Sequence, residues 1–140
     1  MVAPTLSIVA PAYNEERNIA AFLAAMIPVL EGVGEPFEII FVDDGSRDGT
    51  LGMLAAAAAQ DPRIKVVGLA RNFGKDVALS AGLAHAKGDA VIPIDCDLQH
   101  PPELIPQFVA KWREGFDMVI GVRSKRDEEG FLRRTLSRSP

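Results

Sequence analysis

Asp95 and Asp97 are two carboxylates separated by one residue, and the amide of Gln99 follows two positions on. That all-oxygen set suits a hard divalent cation such as Mg²⁺ or Mn²⁺, which uses phosphate oxygens and water to complete its octahedron. Aspartate is also common where strands turn into loops, so a purely turn-forming role stays open. Cys96, between them, reads as a small packing residue rather than a thiolate ligand. His100 could approach a metal or simply face solvent at a helix start. Asp43 and Asp44 are adjacent carboxylates that repel unless one is engaged. They are either turn formers or acceptors for the donors of a base or ribose. Asp48 reads as a helix cap. Tyr13, the single tyrosine, is placed where a ring could stack on a nucleobase. Lys75 opens a helix, where the dipole disfavours a cation; it is either simply exposed or a phosphate contact. There is no Gly-x-x-x-x-Gly-Lys-Ser/Thr or Gly-x-Gly-x-x-Gly run, and no Ser, Cys or His arrangement of a covalent nucleophile.

The elements that would carry these residues follow from the apolar pattern. Leu6 to Ala10, Phe37 to Val42, Ile64 to Leu69, Ala90 to Ile94 and Phe116 to Val122 are short apolar runs, read as strands. Between the first two, Ile19, Phe22, Leu23, Met26, Ile27 and Leu30 fall on one helical face. Asn14 is expected to cap that helix, with Glu15 and Glu16 at its positive end, and Pro28 to kink it or shorten its last turn. The alanine run 55–59 reads as a second helix. A third runs from about Lys75 to Lys87 with Gly88 as its stop, and a fourth opens at Pro101-Pro102. Five strands alternating with four helices predict an α/β fold: an open, mostly parallel sheet with helices on both faces. Pro93 conflicts with a central strand, so an irregular or unpaired position is expected there. In such sheets ligands bind beyond the carboxyl ends of the strands, where all the residues above fall.

The chain has 140 residues, 48% hydrophobic and 24% charged, enough for one sizeable core. No window offers the ~18 to 20 uncharged apolar residues of a membrane span. One cysteine excludes an internal disulfide, and Met1 to Pro4 lack a signal peptide's basic start, so a cytosolic-type domain is expected. The net charge is −4. It divides unevenly: residues 123–138 hold six basic and three acidic side chains, leaving −7 on the rest. The acidic body argues against nucleic-acid binding. The basic end is either a solvated helix end or a contact for a local anion.

Pro11-Ala12-Tyr13-Asn14-Glu15, Asp43-Asp44-Gly45-Ser46 with Asp48-Gly49-Thr50, Arg71-Asn72-Phe73-Gly74-Lys75 and Asp95-Cys96-Asp97-Leu98-Gln99-His100-Pro101-Pro102-Glu103 occur in one order along the chain. Together they resemble family 2 glycosyltransferases, most closely the polyprenyl-phosphate branch, which includes dolichol-phosphate mannose synthases and bacterial undecaprenyl-phosphate transferases. Gly121-Val122-Arg123, Arg133-Arg134 and Ser137 extend the resemblance. It implies a GT-A fold and inverting transfer of a sugar from a UDP- or GDP-linked donor to a polyprenyl phosphate. It implies a nucleotide-sugar pocket of Pro11, Tyr13, Glu15, Val42, Asp44, Lys75, Asp95, Cys96 and Asp97. Asp95, Asp97 and Gln99 would hold Mg²⁺ or Mn²⁺ on the diphosphate, with Asp97 and Arg123 catalytic. Arg123, Arg133 and Ser137 would meet the acceptor phosphate.

The same resemblance divides the chain into a donor-binding domain, 1–122, and a basic segment, 123–140, that opens an acceptor or membrane-proximal region. Relatives continue further, so a donor-binding half is expected, working at the cytoplasmic face of a membrane. The competing readings are a non-catalytic nucleotide-sugar-binding module, a soluble family 2 transferase with a glycan acceptor, and an aspartyl-phosphate protein. The last leaves Tyr13, Gln99 and residues 71–75 without roles.

Overall fold

The apolar runs pair into a parallel sheet, and the periodic stretches between them fold back over it as helices. The computed structural model describes residues 3–98, 101–123 and 130–138, the last two strands by backbone alone. In chain order the elements are β1 (Leu6–Ala12), α1 (Ile19–Val33), β2 (Phe37–Asp43), α2 (Thr50–Gln60), β3 (Ile64–Gly68), α3 (Lys75–His85), β4 (Ala90–Pro93), α4 (Leu104–Arg113), β5 (Phe116–Arg123) and β6 (Gly130–Arg138). The first four strands form one sheet in the order β3-β2-β1-β4. Every pairing in it is parallel, with Leu6 opposite both Phe37 and Ala90, and Ile39 opposite Ile64.

All seven residues of β2 are buried, as a strand covered on both faces requires. The two-residue period sorts them. Phe37, Ile39 and Phe41 join Leu6, Ile8 and Ala10 under α1, α2 and α4, against Phe22, Met26, Leu54, Ile105 and Val109. Phe22 meets Phe41 edge to face at 5.6 Å between ring centres. Ile40 and Val42 turn to the opposite face, beneath Ala78 of α3. There α3 lies close on the sheet because of Gly82, where a Cβ would run into Val9 and Val42. Helices therefore cover both faces, as expected.

Several expectations need correcting. The parallel sheet has four strands, not five: β5 leaves it and pairs antiparallel with β6. The basic end of the chain, for which a solvated helix end was one of two readings, is largely that sixth strand rather than a helix. Pro28 neither ends nor shortens α1, which continues to Val33 and closes on Gly34 at φ 85. α3 stops at His85, and the expected stop, Gly88, instead lies against Ser7, where a Cβ would overlap the backbone. α4 begins at Leu104, with Pro101 and Pro102 in the turn before it. Pro93 causes no conflict, because β4 pairs only with β1 among the described residues. The Ile94 N–H bonds the Val9 carbonyl, so alternation sends the missing Pro93 donor to the unpaired side.

Candidate functional site

The strand order brings the carboxyl ends of β4, β1 and β2 side by side, and the loops that leave them are tied together. Asn14, expected to cap α1, does something else: α1 starts after Asn18, with no side-chain cap. Asn14 sits at φ 53 and binds the β2–α2 turn, its N–H donating to Ser46 Oγ (2.8 Å) and its Oδ1 accepting from the Arg47 N–H (2.9 Å). Asparagine tolerates that left-handed backbone better than most residues. The Glu15 N–H donates to Thr50 Oγ1 at 2.8 Å, and the Gly49 N–H to Glu16 Oε2 at 3.2 Å. Asp48 accepts from the Thr50 N–H and hydroxyl at the start of α2. The hydroxyl bond chiefly holds the Asp48 carboxyl below its ordinary range.

Asp44 is almost fully buried. Its Oδ1 accepts from the Phe73 N–H at 2.8 Å, and its Oδ2 from the Gly74 N–H at 3.1 Å and Asn72 Nδ2 at 3.2 Å. The engaged carboxylate thus shapes the 72–74 loop and keeps one of about four lone-pair sites for a ligand. Gly45, at φ 70, passes so close that a Cβ would overlap the backbone of Arg71 and Asn72. Asp43 is buried too, and accepts from the Ser46 N–H at 3.4 Å.

This loop leads directly into Lys75, the first residue of α3. Lys75 Nζ lies 2.7 Å from Asp95 Oδ1, with the lysine side chain 65% exposed and the aspartate 26%. The hydrogen bond to Asp95, with the charges of Asp95, Asp97 and Asp76, holds the ammonium above its ordinary pKa. Leu98, closing the turn after Asp97, sits at φ 59, a conformation costing a leucine on the order of 1–2 kcal/mol. Such strain is typical of backbone held in place by its surroundings.

The result is a cleft of about 450 Å³ lined by Pro11, Ala12, Tyr13, Glu15, Asp44, Asn72, Gly74, Lys75, Asp95 and Asp97. Residues drawn from sequence positions 11 to 97 meet there. Ala12, Asn72 and Gly74 line it without having been assigned a role. The signal for the last two was their place in the motif run 71–75 that follows β3. Val42 and Cys96 are not on its wall: Val42 is in the core under α3 and Cys96 is buried. Burial, reinforced by Glu15, Asp95 and Asp97, pushes the Cys96 thiol up to about 12, so it stays protonated and inert. Gln99 and His100 lie outside the described residues.

Among the described residues no three His, Cys, Asp or Glu side chains gather as a metal cage. In the β5–β6 pair, Arg123 stands opposite Gly130 and Ser137 opposite Met118. Arg133 lies between them on β6.

A parallel α/β sheet with a polar cleft at its carboxyl edge is the ligand-binding arrangement of open α/β folds, and comparison with known proteins makes the class specific. The family described as glycosyl transferase family 2 matches residues 7–139. The chain belongs to that family. It is 51% identical over 128 residues to an uncharacterized glycosyltransferase of Synechocystis sp., covering 91% of this chain and 40% of that protein. It is 46% identical over 129 residues to the bactoprenol glucosyl transferase of Shigella phage SfV, covering 92% and 42%. Among solved structures it resembles the mannosyltransferase PcManGT from Pyrobaculum calidifontis, in complex with GDP-Man and Mn²⁺. The TM-score is 0.66 at 27% identity, over 91% of this chain and 38% of the other. The fold is therefore GT-A. The chain spans about 40% of the length of the curated relatives it matches.

Proposed function

We propose that this chain forms the donor side of an inverting glycosyltransferase that moves a sugar from a nucleoside-diphosphate sugar to a polyprenyl phosphate. The observation that carries the reading is the cleft itself. It gathers an exposed aromatic ring, Tyr13, the carboxylates of Glu15 and Asp44, and the Lys75, Asp95 and Asp97 side chains around one opening. Those are the groups that a base and ribose, and a diphosphate with its cation, require. The bactoprenol glucosyl transferase relative supports a lipid phosphate as acceptor, and the GDP-Man and Mn²⁺ complex of PcManGT supports a metal-linked nucleotide sugar.

The residues fit a divalent cation. Asp95 already holds a positive charge at 2.7 Å, and a pair of carboxylates suits an ion completed by diphosphate oxygens and water. Asp95 and Asp97 would hold it, with Gln99 assigned to the same set by the sequence motif. A bound Mg²⁺ or Mn²⁺ would stabilise the negative charge that develops on the departing diphosphate.

The chain's own groups do the rest. Tyr13 offers a ring face to the base, and the free Asp44 lone pair accepts a base or ribose donor. Lys75 contributes a further positive charge to the diphosphate. The acceptor, a phosphate monoester with a second pKa of ~6, is largely ionised at neutral pH and needs no strong base to attack. It needs positioning, for which the Arg123 guanidinium is suited; Arg133 is a second candidate. An acceptor of this kind keeps the site at a membrane surface, which we assign to the cytoplasmic face. No helix among the described residues is long and apolar enough to cross a membrane.

Calorimetric titration of Asp97→Asn with UDP and GDP in the presence of Mn²⁺ tests the assignment. We expect at least a tenfold loss of metal-dependent nucleotide affinity with an unchanged melting temperature; unchanged affinity would remove Asp97 from the site.

A further inference from the structure

Lys75 occupies a position that helix electrostatics disfavours. It is the first residue of α3, at the end where the unpaired N–H groups already carry partial positive charge. What holds it there is Asp95, 2.7 Å away. Lys75 is also the one cation lining the cleft among the described residues. We propose that Lys75 is the internal counter-ion of the Asp95–Asp97 pair, a positioning residue that neutralises the carboxylates until a nucleoside diphosphate draws the ammonium onto its own oxygens. It thereby couples divalent-cation binding to nucleotide binding. This rests on the reading above, in which Asp95 and Asp97 hold a divalent cation against a diphosphate.

Two observations give the lysine the mobility and the fixed base this needs. Its backbone is anchored, because the two preceding N–H groups, of Phe73 and Gly74, are held by the buried Asp44 carboxylate. Its side chain is not: it is 65% exposed and contacts Asp95 through its tip. The flexible four-carbon stem can therefore swing across the cleft while the loop stays still.

A divalent ion arriving alone must displace the ammonium from Asp95 and leave it without an anion. An ion arriving with a diphosphate gives the ammonium a new partner of higher charge. Metal and nucleotide then bind more tightly together than separately, and linkage requires the enhancement to be equal in both directions. Because Lys75 is exposed and Asp95 only partly buried, the effect of Lys75 on the metal alone is modest.

The test measures Mn²⁺ affinity of the full chain by calorimetry, without nucleotide and with saturating UDP or GDP, for wild type, Lys75→Met, Lys75→Gln and Lys75→Arg. Thermal melts identify any variant that does not fold. We expect Lys75→Met and Lys75→Gln to bind Mn²⁺ alone ~2- to 5-fold more tightly than wild type. The nucleotide-induced enhancement should fall by at least the same factor, and Lys75→Arg should retain it. Unchanged or weaker binding of Mn²⁺ alone by both neutral variants, or an undiminished enhancement, overturns the proposal while leaving the donor-site reading intact. A wild-type chain that binds neither UDP nor GDP with Mn²⁺ overturns both.

Discussion

Two lysine–carboxylate pairs sit at opposite ends of the same sheet. At the amino end, Lys65 Nζ lies 3.0 Å from Glu38 Oε1; at the carboxyl end, Lys75 Nζ lies 2.7 Å from Asp95 Oδ1. Distance alone would call them equivalent. Their surroundings do not. Glu38 is 1% exposed, and its other oxygen accepts from Ser7 Oγ at 2.5 Å and the Lys87 N–H at 2.8 Å. Ser7 Oγ in turn accepts from the Gly88 N–H, so the network ties β1, β2, β3 and the α3–β4 connection into one closed unit. The Lys75–Asp95 pair is open to solvent and lies on the wall of a cleft. The same two side-chain types thus form a structural knot where every oxygen is engaged within the fold, and a pair on the wall of a cleft where the lysine is exposed.

The largest effect that would sharpen this contrast is at Glu38. Glu38→Ala removes the acceptor for Ser7, Lys65 and the Lys87 N–H, the first of them fully buried on β1. Denaturant unfolding should show a loss of about 2–4 kcal/mol, with nucleotide affinity nearly unchanged in whatever fraction stays folded. A strong binding defect in folded Glu38→Ala would break the separation between the two ends.

Gly45→Ala probes the boundary between the roles. The added methyl meets the backbone of Arg71 and Asn72, and the residue must hold φ 70. A loss of about 1–3 kcal/mol is expected. Unlike Glu38→Ala, it should also weaken nucleotide binding, because the displaced segment carries Lys75. Calorimetry alongside denaturation measures both.

The smallest effect is one of pH. Burial raises the Glu38 carboxyl, but the hydrogen bonds from Ser7, Lys87 and Lys65 outweigh it, leaving it below its ordinary 4.5. A depressed folded pKa stabilises the protein above the unfolded value, and that contribution disappears as pH falls through the folded one. Melting curves from pH 7 downward should show wild type losing part of its advantage over Glu38→Gln below about pH 4.5. A constant difference would mean that Glu38 is not ionised in the fold.

Much of this was legible in the residue order. The strand cores were readable because a dense apolar run such as Ile39 to Val42 has only one stable place, a strand buried on both sides. Lys75 at a helix start, the four polar strand ends and the family motifs were readable for the same local reason. The limits were equally physical. Asn14 has good capping chemistry, but the neighbouring β2–α2 turn offered it Ser46 and Arg47, more than 30 residues away, and tertiary contact outcompeted a cap. The basic end showed its charge but not its pairing, since a strand's partner is not written in its own composition. Pro93 looked out of place until the strand order put its missing donor on an unpaired edge.

The amino-acid sequence by itself determined which segments up to β5 become strands and helices, and which side chains have the chemistry for phosphate, metal or base, because apolar periodicity and side-chain chemistry are local. Only the tertiary structure decided that Asp44 shapes a loop, that Glu38 is a knot, and that Lys75 rests on Asp95. Each of those contacts joins residues 20 or more positions apart, and the order β3-β2-β1-β4, chosen by burial of the whole sheet, is what brings them within reach.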